Sequence, residues 1–236
     1  MSGKLILFPV PIGAETISDS LPALNLELIN TCHYFIVEEL RTARRFLKKA
    51  GYSYPIDDTT FYVLNEHTSE QETIHYLDPI QQGENIGLLS EAGLPCVADP
   101  GMMITRQAQR MGVEIIPLVG PSSLMMALMA SGLNGQNFAF AGYLPVDKHE
   151  RISTLKKLEV KALKDNQTQL FIEAPYRNNQ MLQSLCESLM GETRICVAVD
   201  ITLPSQTIRT LTANQWKKQR EQLNLHKRNT VFAIGR

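Results

Sequence analysis

Residues 86–101 read IGLLSEAGLPCVADPG, and this stretch decides the fold. Ile86 to Leu89 form a short apolar run bounded by turn signals, the pattern of a strand buried on both faces. Ser90 to Gly101 then form a tight turn of small residues. Gly93 lets backbone approach a ligand closely, and Pro95 and Pro100 stiffen the loop. Asp99 is suited to cap the next helix and to fix the loop. A helix is expected from Gly101 to Met111, ended by Gly112. The alternative reading is a well-made βα turn with no ligand.

The same alternation continues on both sides. Leu5–Phe8, Tyr34–Val37, Thr60–Leu64 and Val113–Leu118 read as strands. Helices are expected after Ser20 as cap, with Pro22 in the first turn, then over Glu39–Ala50 and Glu70–Gln81. This order argues for an α/β domain with a mainly parallel sheet, whose ligands gather at the carboxyl ends of the strands. The second half differs. Pro121–Ser131 is a helix that is apolar almost all round, so burial is expected. Phe138–Ala141, Leu170–Glu173, Ile195–Val199, Thr207–Leu211 and Val231–Ile234 read as strands, with Thr207–Leu211 antiparallel. Arg151–Leu163 and Asn178–Met190 read as helices, and Thr212 to Gln215 as a capping box. The expected architecture is two α/β domains, 1–118 with a mainly parallel sheet and 119–236 with a mixed one.

Composition narrows the function. The net charge is -1, so any nucleic-acid contact has to come from a local patch. Leu5–Phe8 is too short for a secretory signal, and no stretch approaches the roughly 20 apolar residues of a membrane span. Cys32, Cys96, Cys186 and Cys196 form no CxxC pair and read as reduced core cysteines, which points to the cytoplasm. The five histidines show no ligand spacing, so no metal is expected. A dinucleotide fingerprint, a Walker loop and GxSxG are all missing.

Further segments carry candidate chemistry. Ser122 and Ser123 open a helix after Gly120-Pro121, where a carboxylate is welcomed; a plain N-cap is the bland alternative. Pro11-Ile12-Gly13 is a stiff turn after the first strand. Glu173, Ala174 and Arg177 sit at a strand end followed by a Pro turn, the look of a pocket edge or of a surface salt bridge. Arg41, Arg44, Arg45 and Lys48 recur at helical spacing behind Glu38 and Glu39. They make either a solvated face or a contact for RNA phosphates.

In this order the segments resemble one family. VPIGA (10–14), VEELR (37–41), SEAGLPCVADPG (90–101), VGPSSLMMALMASGL (119–133), FAFAGYLP (138–145), FIEAPYR (171–177) and AVDITL (198–203) are similar to motifs of the 16S ribosomal RNA (cytidine 2'-O-ribose) methyltransferases, within the tetrapyrrole (corrin/porphyrin) methylase superfamily. The family runs TPIGN, AEDTR, SDAGTP..SDPG, PGPSA...ALSASGL, F.F.GFLP, FYESPHR and ARELTK.

The resemblance implies a homodimer and S-adenosyl-L-methionine in the interdomain cleft. It places Ser90, Glu91, Ala92, Gly93, Pro95, Val97 and Ala98 along the cofactor, with Ser122 and Ser123 on its other side. Glu173, Ala174 and Thr202 are its contacts from the second domain. Pro11, Ile12, Gly13, Arg44 and Arg177 fall on the substrate side. Glu38 and Glu39 are candidate bases or orienters, and Arg41 a phosphate or oxyanion partner. Departures cluster on the substrate side. Ala14 stands for the family's Asn, Val10 for its Thr, Glu39-Leu40 for its Asp-Thr, and Val199 and Leu203 for its Arg and Lys. Longer members carry a further small helical C-terminal segment, not visible here. Two rivals follow: a methyltransferase for a tetrapyrrole or other small molecule, and a non-catalytic cofactor-binding protein with a structural or regulatory role.

Overall fold

The computed structural model describes residues 3–13 and 16–236. The chain divides into two compact units, Met1–Ser122 and Ser123–Arg236.

The first unit holds β1 (Leu5–Phe8), α1 (Ala23–Ile29), β2 (Cys32–Val37), α2 (Leu40–Lys49), β3 (Thr60–Val63), α3 (Asp78–Gln81), β4 (Asn85–Leu89), α4 (Met102–Arg110) and β5 (Ile115–Pro117). Its sheet runs β3-β2-β4-β1-β5, parallel throughout. The chain leaves β1 toward β2 on one side and leaves β4 toward β5 on the other. The carboxyl ends of β4 and β1 therefore form the topological switch point, where open α/β sheets bind ligands. Apolar side chains fill both faces. One layer holds Ile6, Phe8, Phe35 and Leu47, and the other holds Leu5, Ile36, Leu88 and Ile104.

The second unit holds α5 (Ser123–Ser131), β6 (Phe138–Tyr143), α6 (Lys148–Lys164), β7 (Thr168–Ile172), α7 (Asn178–Ser188), β8 (Arg194–Val199), β9 (Thr207–Thr212), α8 (Ala213–Gln219) and β10 (Thr230–Gly235). Its sheet is mixed, in the order β6-β7-β10-β8-β9, with only β6 and β7 parallel. The antiparallel β9 and the capping box at Thr212 and Gln215 appear as the sequence predicts. Trp216 is fully buried, and its Nε1 donates to the Ile195 carbonyl at 2.8 Å. The four cysteines are free, and three are buried. No helix of the described residues is long and apolar enough to cross a membrane.

Four local expectations are corrected. The helix expected over Glu70–Gln81 is α-helical only in its last turn, α3. The preceding residues are tied by bonds that reach three residues back, such as Tyr76 N to the Thr73 carbonyl. Pro79 has no N–H to continue an α-ladder across this stretch. Ser20 does not cap α1; it ends a 3-10 turn over Ile17–Asp19, and Pro22 occupies the N-cap. Asp99 does not cap α4 itself; its carboxylate binds the N–H groups of Cys96 and Gly101, each at 2.8 Å. Finally, α5 is buried on one face only. Leu124, Ala127 and Leu128 point inward, yet Met129 is 83% exposed, because a single helix laid on a sheet has only one side to bury.

Gly87 marks the tightest point of the first core: a Cβ there would meet the Phe35 ring at 2.6 Å. Gly87→Ala should destabilise the protein by about 1–3 kcal/mol through overpacking, read as a lower urea midpoint at unchanged slope. An unchanged midpoint would show that the ring can move aside.

Candidate functional site

Three turns converge at the switch point of the first unit. The turn after β1 and the loop after β4 are joined by a two-bond bridge. Val10 N donates to the Gly93 carbonyl, and Gly93 N to the Val10 carbonyl, each at 3.0 Å. Gly93 adopts φ +79°, and a Cβ there would press on Ile12 Cγ2 at 3.2 Å. The turn after β5 closes in as well. Gly120 lies against Pro9 so closely that a Cβ would be 2.2 Å from the Pro9 Cβ.

The 90–101 loop is held from inside. Beyond its bonds to Cys96 and Gly101, Asp99 is also approached by Ser90, and burial pushes its carboxyl above the usual carboxylate range. Ser90 Oγ pins the turn by accepting from Ala92 N at 3.3 Å. Two non-glycine residues are forced into the left-handed region, Cys96 at φ 68° and Ala98 at φ 60°. Such strain persists only where the surroundings over-determine it, and it concentrates at ligand sites. Gly93 and Pro95 are buried in the loop, while Glu91, Ala92, Val97 and Ala98 face solvent. Pro11, Ile12 and Gly13 are half-buried beside it, and Ala14 lies outside the described residues. Ser122 and Ser123 are half-buried at the start of α5.

Glu38 and Glu39 are neighbours with different environments. Both Glu39 oxygens are engaged by α2: Oε1 accepts from Arg41 N at 2.9 Å and Oε2 from Thr42 N at 2.8 Å. These backbone donors, Arg41's first, hold its carboxyl below the usual range. Glu39 is thus the N-cap of α2, with its carboxylate taken up by backbone donors. Glu38 is half-buried, and its pKa is raised by burial first, then by the negative charges of Glu91, Asp99 and Glu66. Of the two, Glu38 is the better proton acceptor. Arg41, Arg44, Arg45 and Lys48 are all exposed.

The second unit has its own strand-end cluster. Glu173 is buried and accepts from Ala174 N at 2.7 Å and from Arg177 Nε at 3.1 Å, with Arg177 Nη2 also on the same oxygen. The expected salt bridge is present, and its carboxylate lies inside rather than on the surface. Sequence reasoning missed the neighbouring Asp200, which is buried at φ 49° and held by Arg228 Nε at 2.8 Å and Ser205 Oγ at 2.9 Å. It lies within the AVDITL segment, but its pairing was not legible there, because Arg228 lies 28 residues downstream. Two residues on, Thr202 has φ 73°, and its Oγ1 is buried without a hydrogen-bond partner among the described residues. An unpaired buried hydroxyl is costly, and a ligand that satisfies it removes the cost.

A parallel α/β unit with strained, small-residue turns at its switch point, followed by a mixed-sheet unit, defines a class of two-unit α/β proteins. Residues 9–216 match the family described as Tetrapyrrole (Corrin/Porphyrin) Methylases, and the chain belongs to it. It is an S-adenosylmethionine-dependent methyltransferase. Among its relatives, the Ribosomal RNA small subunit methyltransferase I of Pseudomonas aeruginosa is 30% identical over 210 residues, covering 89% of this chain and 70% of that protein. The Vibrio cholerae protein of the same name is 31% identical over 207 residues, covering 88% and 68%. That of Thermotoga maritima is 28% identical over 200 residues, covering 85% and 84%. The crystal structure of the methyltransferase CobJ shares the fold at TM-score 0.65 and 18% identity, covering 99% of this chain and 94% of CobJ.

The raised pKa of Glu38 sets a pH dependence. Its carboxyl holds a proton more tightly in the folded state than in the unfolded chain. Stability is therefore lost as pH rises from the ordinary value of 4.5 through the folded one. Glu38→Gln should flatten that decline in urea titrations across the acid range, and an unaltered pH profile would show that Glu38 titrates normally.

Proposed function

We propose that this chain transfers the methyl group of S-adenosylmethionine to a ribose 2'-hydroxyl of ribosomal RNA. The relatives' names support the substrate class. The observation that carries the chemistry is Glu38: a half-buried carboxylate with a raised pKa, set just before a helix whose exposed face is cationic. A ribose hydroxyl is a weak nucleophile, and a positioned base of elevated pKa assists its deprotonation. The bound donor supplies an electrophilic methyl on sulfur; the protein supplies alignment and a dry site.

Ser90, Glu91, Ala92, Gly93, Pro95, Val97 and Ala98 are the proposed donor-binding residues of the stiff loop, with Ser122 and Ser123. In the second unit, Glu173, Ala174 and Thr202 are proposed as donor-binding residues, supported by the Thr202 hydroxyl, which has no hydrogen-bond partner among the described residues. Pro11, Ile12, Gly13, Arg41, Arg44 and Arg177 are proposed for the substrate. We propose the cytoplasm as the chain's location, on the ground that its named relatives are ribosomal RNA methyltransferases.

Calorimetry with the donor, followed by transfer of labelled methyl into small-subunit ribosomal RNA lacking the modification, tests this reading. Glu38→Gln should bind donor normally and lose about 10²–10⁴-fold in rate. Thr202→Val should weaken donor binding by about 2–10-fold, the worth of one hydrogen bond, without lowering thermal stability. Donor binding without any transfer into RNA would sink the RNA assignment.

We also infer a homodimer. Phe140 pairs with Leu170, so it lies on the sheet face opposite Phe171, whose ring is buried among residues of α6 and α7. That is the face bearing α5, since Gly235, also opposite the Phe232 side, meets Leu133 just after α5. On this side β6 is an edge strand with Phe138 and Phe140 exposed, and α5 exposes Met129. An apolar edge of this kind calls for a covering partner, and a second copy offers the same self-complementary surface. Met129→Glu with Phe138→Glu should convert a dimer to a monomer in sedimentation; a monomeric parent protein would refute the interface.

A further inference from the structure

The cations of α2 fall into two stripes rather than one. Arg44 lies over the Phe61 ring at 5.5 Å, toward β3. Arg45 and Lys49, four residues apart, instead line a cavity of about 200 Å³ within the first unit. Val10, Ile17 and Phe46 give it apolar walls, and Thr42 and Glu91 give it polar ones. Lys49 did not figure among the residues singled out by helical spacing.

We propose that this cavity seats one nucleotide of the RNA, with the base against the apolar walls and its phosphate on Arg45 and Lys49. The proposal rests on the RNA reading above and names where the strand is gripped. At about 200 Å³ the cavity is below the roughly 300–1,000 Å³ of sites for drug-sized ligands, so it admits a single base rather than a second large cofactor. Like charges four apart on a helix repel one another. Arg45 and Lys49 are exposed and have no ion pair among the described residues, so that repulsion stands until an anion arrives.

Glu91 sets the polarity of the seat. Its Oε1 accepts from the Thr42 hydroxyl at 2.7 Å. A carboxylate repels phosphate and takes only donors, so it faces base N–H groups while the phosphate stays with the cations. The half-buried Phe46 offers an aromatic surface of the kind on which unstacked bases pack. Glu91 and Ser90, which also lines the cavity, belong to the proposed donor-binding loop. A nucleotide seated here is therefore anchored beside that loop. Arg45 and Lys49 act as positioning residues.

The test uses the full chain and a fluorescein-labelled single-stranded RNA. Arg45→Glu with Lys49→Glu should cost at least about tenfold in affinity. It should also make the log affinity against log salt shallower by about 0.7, the share of one neutralised phosphate on a single strand. Donor affinity by calorimetry should be unchanged, and KM for RNA should rise while kcat at saturating RNA stays within about twofold. Arg45→Lys should restore most of the affinity. Ile17→Trp, which fills the cavity, should weaken binding without altering the salt slope, and its melting temperature checks that it folds. If wild type binds and methylates RNA but the double variant keeps affinity and slope, the seat is overturned and the RNA function stands. If wild type binds donor but no RNA, the function falls and the seat with it.

Discussion

The first unit depends on the backbone bridge between Val10 and Gly93. Two 3.0 Å bonds between loops fix the carboxyl ends of β1 and β4 at a constant separation. Without them, the turn after β1 and the 90–101 loop would be ordinary surface connections, free to vary independently. The bridge demands φ +79° at residue 93, which glycine meets without strain. The contact of Gly120 with Pro9 adds the third turn. Small and rigid residues therefore recur at these positions because backbone, rather than side chain, forms the site's wall.

That requirement explains what the sequence made legible. Gly93, Pro95, Asp99 and Pro100 are read correctly as a stiff loop, because φ restriction and turn chemistry act over a few residues. The alternation of strands and helices is legible for the same local reason, and so is the antiparallel β9. What stayed hidden depends on distance in the chain. Asp200 meets Arg228, Arg45 and Lys49 share a cavity with Ser90, and Thr202 is left unpaired only because the fold encloses it. The failed helix over Glu70–Gln81 shows the reverse case: Pro79 is a local signal, and the α-helical turn begins only beside it, at Asp78.

Adjacent Glu38 and Glu39 show how position assigns chemistry to one residue type. Alternation along β2 and the start of α2 send them into different surroundings. Glu39 meets two backbone N–H groups at a helix start, which favours the charged form and occupies both oxygens. Glu38 meets burial and three carboxylates, which favour the proton. A carboxyl held in that way is a more basic acceptor once it is ionised. Sequence spacing treated the two as equivalent; only the cap geometry separates them.

Net charge near zero and an RNA substrate are compatible on the same grounds. A chain of net charge -1 has no long-range pull on a polyanion, so contact must be local and geometric. Under the proposed RNA function, α2 is suited to supply it: Leu47 and Ala43 bury one side, Glu39 closes the N-terminus, and the cations project from the rest. Glu38, Glu91, Asp99 and Glu66 put negative charge at the strand ends, which disfavours phosphate there under the proposed function. On this arrangement selectivity comes from the mixture of signs over a short distance, with acidic groups at the proposed reacting centre and basic ones where the RNA backbone is to be held.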